Sequence, residues 1–277
     1  MAVNKIYTKN AAYQKFETLR TNKNKRHKYN EFIIEGVRNI NEAVKNNWRI
    51  NSFVYQKEKK LSDWASGLLC GVKTKINYEL TEELMNEFSG KENASELIAV
   101  AEMKSNTKEP NELSKNPVLA LFDRPSNKGN LGTIIRSCDA FGVEELIITG
   151  HSIDIYDPEV IGASMGSFFK LPFLKLSDNG EIDGYITKLK LQYPKLKIIG
   201  TTAKKKTNIY EIDMTTPVLF LIGNETDGLN RHYFEICDMT ATIPQNENSA
   251  ASSVNVSCAA AVMFYEAVRQ RKVKLLI

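Results

Sequence analysis

Three short stretches of this 277-residue chain join glycine to carboxamide, carboxylate, hydroxyl and guanidinium side chains beside apolar runs. The first, "NKGNLGTIIRSCDAFG" from Asn127 to Gly142, follows "PVLALFD". The second, "LFLIGNETDGL", puts Gly223, Asn224, Glu225 and Gly228 directly after a very apolar run. The third, "TIPQNENSAASSVNVSCAAAV", puts Ser252, Ser253 and Asn255 at the start of a helical pattern. Glycines between a strand and a helix often cradle a nucleotide's phosphates. Neither phosphate-loop template fits here: Gly129 and Gly132 flank Asn130, with no third glycine or Gly-Lys pair in register. A tight turn explains the glycines. It does not explain Asn127, Asn130 and Arg136 in the same span. An arginine about one turn inside an otherwise apolar helix is seldom buried without a partner. Taken singly, Ser253 and Asn255 are helix caps and Glu225 an ordinary loop acid. Together, at the C-terminal ends of parallel strands, the three loops describe one composite site.

The elements that must position these loops alternate along the second half of the chain. "VLALFD", "ELIITG", "KIIGTT", "PVLFLIG" and "MTATIP" read as strands. "TIIRSCDAFG", "DPEVIGASMGSFF", "IDGYITKLKLQ" and "SSVNVSCAAAVMFYEAVRQRK" read as the helices between and after them. Strands apolar throughout and separated by helices predict a parallel α/β sheet covered on both faces. In the last helix, Val254, Cys258, Ala261, Tyr265 and Val268 are expected to form the buried stripe. The first part is a smaller α/β domain. "EFIIEG", a helix carrying Val37, Ile40 and Val44, and "RINSFVYQ" form a βαβ unit. "LSDWASGLLCG", "KTKINYEL", "TEELMNEFSG" and "SELIAVAEM" continue the alternation. The expected boundaries are 1–105 for this domain, a polar linker over 106–116, and 117–277 for the second.

Composition bounds the class. Apolar and charged fractions are those of an ordinary globular protein, and a net charge of +4 is mild. Its distribution is uneven: residues 1–30 carry Lys5, Lys9, Lys15, Arg20, Lys23, Lys25, Arg26 and Lys28 against Glu17 alone. Such a segment suits a phosphate backbone or a solvated helix end. The four cysteines are too far apart to form a zinc pair and read as reduced, mostly buried thiols, so no metal is expected. With no secretory h-region and no run of membrane-spanning length, the expected compartment is the cytoplasm.

In order, the three stretches resemble the three motifs of the SpoU/TrmH family of RNA ribose 2′-O-methyltransferases, in the SPOUT superfamily. Asn130 and Arg136 match the first motif's asparagine six residues before an arginine. Gly223 and Glu225 match the second, glycine, any residue, glutamate. Ile243, Pro244, Ser253 and Asn255 match the third, Ile-Pro and then Ser-x-Asn leading into a helix. "DPEVIGASMGSFFKLPF" resembles the family's segment between motifs. "FIIEG" and its sequel resemble the small RNA-binding domain many members carry in front. The likeness thus covers most of the chain. It departs at "IPQNENSAASSVN", which is more polar and longer than the family's usual loop.

The resemblance implies a C-terminal α/β parallel-sheet domain threaded into a deep trefoil knot, preceded by a small α/β RNA-binding domain. It implies S-adenosyl-L-methionine held mainly by backbone groups near Gly223, Ile243 and Val254, with Thr201 or Thr202 as a further contact. It implies a homodimer with the site near its interface, and methyl transfer to a ribose 2′-hydroxyl. A separate front domain with a basic start fits ribosomal (23S) RNA better than transfer RNA. Arg136, a poor base because its pKa exceeds about 12, is expected to clamp an RNA phosphate. Asn130 and Ser253 are expected to hold the ribose or Arg136, Asn255 the loop near the cofactor, and Glu225 the loops themselves. The alternatives are a transfer RNA methyltransferase, a base-methylating SPOUT enzyme, and an RNA-binding protein without catalysis. Retention of Asn130, Arg136, Glu225, Ser253 and Asn255 counts against the last.

Overall fold

The computed structural model describes residues 2–57, 59–90, 94–104, 112–204 and 206–274. Of the expected linker, residues 106–111 lie outside the described residues. The chain begins with β1 (Val3–Ile6), α1 (Ala11–Thr21), α2 (Lys23–Tyr29), β2 (Glu31–Glu35), α3 (Val37–Lys45) and β3 (Ile50–Gln56). Then come α4 (Asp63–Gly71), β4 (Asn77–Leu80), α5 (Glu82–Ser89), β5 (Leu97–Glu102), β6 (Val118–Asp123) and α6 (Lys128–Ala140). β7 (Glu145–Thr149), α7 (Pro158–Ser164), β8 (Phe173–Leu176), α8 (Asn179–Gln192), β9 (Lys197–Thr201) and β10 (Thr207–Asn208) follow. The chain ends with β11 (Val218–Ile222), α9 (Arg231–Ile236), β12 (Met239–Thr242) and α10 (Val256–Lys274). These form two compact units: Met1–Lys104 with Asp154–Lys170, and Ser105–Ile153 with Leu171–Ile277.

The first unit holds, among the described residues, a five-stranded sheet of order β1-β4-β3-β5-β2. β1, β4 and β3 are parallel, while β5 runs antiparallel to both β3 and β2. The expected βαβ unit is present, with β5 inserted between its two strands. Side chains alternate across β2, as strand geometry requires. Ile33 joins Tyr13, Phe16, Leu19, Met85 and Phe88 on one face. The Phe32 ring, on the other face, lies 5.0 Å from Tyr156, 5.7 Å from Trp48 and 5.9 Å from Phe168. Trp48 Nε1 donates to the Phe169 carbonyl at 2.8 Å. Asp154–Lys170 therefore completes the core of this unit, although it follows two strands of the other in sequence. A boundary at 105 misses this, because the aromatic residues that need cover are distant in sequence from those that provide it.

The same segment neutralises a buried cation. Arg26 is 2 % exposed. Its Nε donates to Asp154 at 2.7 Å, its Nη2 to Asp157 at 3.4 Å, and its Nη1 to the Leu19 and Arg20 carbonyls. Lys5, Lys9, Lys15 and Arg20 pair in turn with Glu79, Glu87, Glu31 and Glu35. At least five of the eight basic residues in 1–30 are thus engaged within the unit, and the segment offers less free charge than its count suggests.

The second unit holds, among the described residues, a seven-stranded sheet of order β10-β12-β9-β11-β6-β7-β8, parallel throughout. Strands β6, β7 and β11 are buried along their length, as a sheet covered on both sides demands. Leu119, Leu121, Ile147 and Leu219 pack on one face with Ile182, Ile186 and Leu189 of α8 and Tyr233 of α9. On the other, α6 and α10 pack together, and Phe220 meets Phe264 at 5.7 Å between ring centroids. β1, β8 and β10 go beyond the sequence reading; all three are edge strands of four residues or fewer.

α10 corrects two expectations. Its face toward the sheet is Ala260, Met263, Phe264 and Ala267, all buried. Much of the expected stripe points outward instead: Val254 is 39 % and Tyr265 53 % exposed and Cys258 is exposed, while Ala261 and Val268 are half-buried. The helix is apolar on two sides, and periodicity alone cannot tell which one its own sheet takes. Among the four free cysteines only Cys138 is buried, because α4 and α10 turn Cys70 and Cys258 outward. The far end of α10 is fastened by Arg271, whose guanidinium donates to the carbonyls of Met214, Asn116, Pro117 and Thr216.

Replacing Arg26 by alanine leaves Asp154 and Asp157 buried without their cation. The expected loss is about 3–5 kcal/mol in the stability of the first unit, measured by chemical denaturation. A change below about 1 kcal/mol would show that the cluster is solvated.

Candidate functional site

The site follows from strand order. β12, β9, β11 and β6 are neighbours, and all are parallel, so the loops leaving their C-terminal ends share one edge. From β6 the chain moves to β7 on one side; from β11 it moves to β12 on the other. Connections that diverge this way open a crevice between them. A cavity of about 610 Å³ lies there, lined by the loops after these four strands and the first turns of α10. Its wall includes Asn130, Thr201, Thr202, Gly223, Glu225, Ile243, Ser253, Val254 and Asn255. Nine of the ten candidate residues from the sequence thus converge.

Arg136 does not. It is exposed on α6, makes no hydrogen bond or ion pair among the described residues, and is absent from the wall of its own chain's cavity. α6 begins at Lys128, so Arg136 is more than two turns in, not one. At about 100° per residue, six positions turn it to a different face from Asn130.

Gly223 is required by its surroundings. A Cβ there would lie 2.2 Å from the Leu229 nitrogen and 2.3 Å from the Gly228 carbonyl carbon. No side chain fits, because the loop crosses back over the end of β11 at this point. The loop closes on itself: Asn224 N donates to Gly228 O at 2.9 Å, and Gly228 N to Asn224 O at 3.0 Å. Gly228 has φ +70°, a conformation glycine adopts without strain.

Glu225 joins this loop to the start of α6. Its Oε2 accepts from Ser126 N at 3.0 Å and Ser126 Oγ at 2.7 Å. Its Oε1 accepts from Asn127 N at 3.1 Å and Asn130 Nδ2 at 3.4 Å. Burial would raise the pKa of this carboxyl, but the donors from Ser126 and Asn127 outweigh it and hold the group below its usual range. Asn127 caps α6 by accepting from Asn130 N at 2.9 Å.

Asn255 extends the chain of bonds to α10. Its Oδ1 accepts from Ser257 N at 2.9 Å and Ser257 Oγ at 2.6 Å, and so caps that helix. Backbone N–H groups need an oxygen, which fixes the amide's orientation. Its Nδ2 must then donate to Asn130 Oδ1, at 3.2 Å, and Asn130 Nδ2 to Glu225. All three motifs are linked by one directed series, Asn255 to Asn130 to Glu225. Asn255 is thus the cap that its sequence position suggested. Ser253 is exposed in the cavity wall and caps nothing among the described residues.

The remaining wall mixes apolar with polar side chains. Leu229, Ile243, Val254, Val256, Ala259 and Met263 line it, with Thr201 and Thr202 at the end of β9. Thr202 Oγ1 accepts from Lys204 N at 3.1 Å and turns the chain. A pocket of this size that sets polar groups beside apolar ones suits a nucleoside-sized ligand. Sequence reasoning missed Leu229, Phe234, Ala259 and Met263 as wall residues: their apolar character is indistinguishable from core until the fold brings them together. It also missed buried Asp123, which receives Arg124 Nε at 3.1 Å and Thr149 Oγ1 at 3.1 Å beside the cavity loops.

Comparison with known proteins agrees with this geometry. Residues 117–265 match the SpoU rRNA Methylase family, and residues 10–99 match the SpoU L30e-like domain. The chain is 37% identical to a 23S rRNA (uridine(2479)-2'-O)-methyltransferase of Streptomyces viridochromogenes, over 98% of this chain and 93% of that protein. It is 27% identical to the 23S rRNA (guanosine(2553)-2'-O)-methyltransferase RlmP of Bacillus subtilis, over 93% and 96%. The crystal structure of the SpoU methyltransferase AviRb from Streptomyces viridochromogenes in complex with AdoMet superposes with TM-score 0.88 at 37% identity, covering 95% of this chain and 98% of that one.

The depressed Glu225 pKa makes the loop network pH-dependent. Its stabilisation is complete above the carboxyl's unfolded-state value and is lost as pH falls through the lower folded value. Glu225→Gln is expected to be less stable than the parent near neutrality, with the gap narrowing below about pH 5. Denaturation series at several pH values measure this; a gap independent of pH would contradict the assignment.

Proposed function

The chain belongs to the SpoU rRNA methylase family, and on that premise we propose that it transfers a methyl group from S-adenosylmethionine to a ribose 2′-hydroxyl of 23S ribosomal RNA. The observation that carries this reading is the convergence of the three motif loops on one cavity, joined through Asn255, Asn130 and Glu225. The relatives' names and the AdoMet-bound structural neighbour support it. The deep trefoil knot of the family, in the C-terminal part of the second unit, belongs to the same reading. So does a cytoplasmic location; among the described residues no helix is long and apolar enough to cross a membrane.

S-adenosylmethionine supplies an already activated methyl group, so the protein's task is alignment and the handling of one proton. The apolar wall residues and the backbone around Gly223, Ile243 and Val254 would hold the cofactor, with Thr201 and Thr202 beside them. Glu225 is not the base. Its two oxygens accept four donors, and its pKa is lowered. It braces the loops. Asn130 has one N–H and one lone pair left after its bonds to Glu225 and Asn255, enough to orient a ribose hydroxyl. Ser253 is free to do the same from the opposite loop. Arg136, unpaired and exposed, clamps an RNA phosphate and steadies charge developing on the attacking oxygen.

The protein acts as a homodimer in this reading, through α10 and α6. Val254, Val262 and Tyr265 present an exposed apolar strip, with Phe141 edge-on to Tyr265 at 6.0 Å. A helix apolar on two sides needs a second partner. Because Arg136 is absent from its own cavity wall, it serves the cavity of the second copy. The first unit grips the RNA.

Ribose methylation mapped in RNA from cells with and without the gene is expected to differ at one position in 23S rRNA. Loss in transfer RNA instead would favour the transfer RNA reading, and an unchanged map would refute both. For the arginine, Arg136→Ala is expected to abolish transfer while cofactor affinity stays within about threefold by calorimetry. Mixed with a variant whose cavity is filled, Ala259→Phe, it should recover about a quarter of parent activity by statistical exchange. No recovery would place Arg136 in its own subunit's reaction.

A further inference from the structure

Asn224 occupies the open middle position of the glycine-x-glutamate motif, yet its side chain makes three hydrogen bonds. Oδ1 accepts from Thr226 N at 2.8 Å and Asp227 N at 3.3 Å, which folds the loop after β11. Nδ2 donates to the Arg124 carbonyl at 2.7 Å, in the segment that leads into α6. The acceptor is itself held in place. Arg124 has φ +44°, a left-handed conformation that side chains rarely adopt. Its guanidinium bonds Asp123, with Nε 3.1 Å from Oδ1 and Nη2 3.1 Å from Oδ2. Asp123 is buried and also accepts from Thr149 Oγ1 and Asn230 Nδ2. Gly150 gives the arginine room: a Cβ there would lie 2.9 Å from Arg124 Cγ. A main-chain kink this well supported turns one carbonyl toward one amide.

We propose that Asn224 is a positioning residue for methyl transfer, fixing the cofactor loop after β11 in register with the loop that starts α6. This rests on the methyltransferase reading above. The two halves of the amide do different work. The oxygen shapes the loop that would hold the cofactor; the nitrogen ties that loop to the segment carrying Asn127 and Asn130, on the substrate side. Glu225, the next residue, makes a second tie between the same segments. Transfer requires donor and acceptor to be aligned closely, and a small slip between two loops is costly.

Asn224→Asp separates the two roles, because aspartate keeps the acceptor and loses the donor. Cofactor affinity by calorimetry is expected to stay within about threefold, while kcat falls about tenfold or more. Asn224→Ala, which removes both ends, is expected to weaken cofactor binding as well. Hydrogen exchange provides a readout independent of activity. In the Asp variant, the Asn127 and Asn130 amides should exchange faster while Gly228 stays protected. An unchanged kcat, or a kcat loss matched by the loss of cofactor affinity, would overturn the proposal. If the parent protein neither binds S-adenosylmethionine nor methylates RNA, the functional reading fails instead. The exchange pattern then still decides whether Asn224 couples the loops: uniform loosening, or none, rules it out.

Discussion

A single carboxylate, that of Glu225, holds the site in its present form. Its four donors come from the turn and first residues of α6, while its backbone belongs to the loop after β11. A half-buried carboxylate stays ionised most readily when its lone pairs are all used, and here each oxygen accepts two donors. That requirement fixes the rest. Ser126 and Asn127 must face it, so α6 must start where it does. Asn130 must donate to it, so Asn130 must accept from Asn255, and α10 must begin beside α6. Gly223 must lack a side chain, or the loop carrying Glu225 could not fold back across its own strand. The cavity is what remains between segments placed by these demands.

Much of this was legible in the sequence, and the illegible part has a pattern. Strands β6, β7 and β11 were readable because burial on both faces leaves nearly continuous apolar runs. The loops were readable because Gly, Asn, Glu and Ser after such runs need a reason to be there. The two-sided nature of α10 was not readable. Val254, Cys258 and Tyr265 keep a regular helical spacing, but so do Ala260, Met263, Phe264 and Ala267, and only the packed sheet chooses. Arg136 illustrates a different limit. Its motif spacing from Asn130 identifies it but does not say which way it faces, and six residues of helix carry it out of the cavity that its motif partner lines. Asn224 is the converse case: a pattern that leaves its position open hides a side chain with three bonds.

α10 also sets the site from its far end. Nineteen residues of helix span about 28 Å. Asn255 caps one end beside the cavity. At the other, Arg271 gathers four carbonyls from the segments that lead into β6 and β11, and Gln270 accepts from Met214 N at 2.8 Å. The two strands whose loops form the crevice are therefore gripped at their starts by the helix that caps it at their ends. A guanidinium bonded to neutral carbonyls has no carboxylate partner to lose, so this fastening does not depend on the ionisation of an acid.

The interleaving of the first unit sets an order of events during synthesis. Arg26 and the Phe32–Trp48 face are made early, but their partners, Asp154, Asp157, Tyr156 and Phe168, follow β6 and β7. N-terminal domains usually fold first as a chain emerges. Here the N-terminal unit closes only after residue 170 has left the ribosome, with strands of its neighbour already waiting. An apolar aromatic face and an unpaired arginine stay open for that interval. The same order resists shuffling by recombination: exchanging the first hundred residues for those of a relative replaces half of a core and leaves the other half behind.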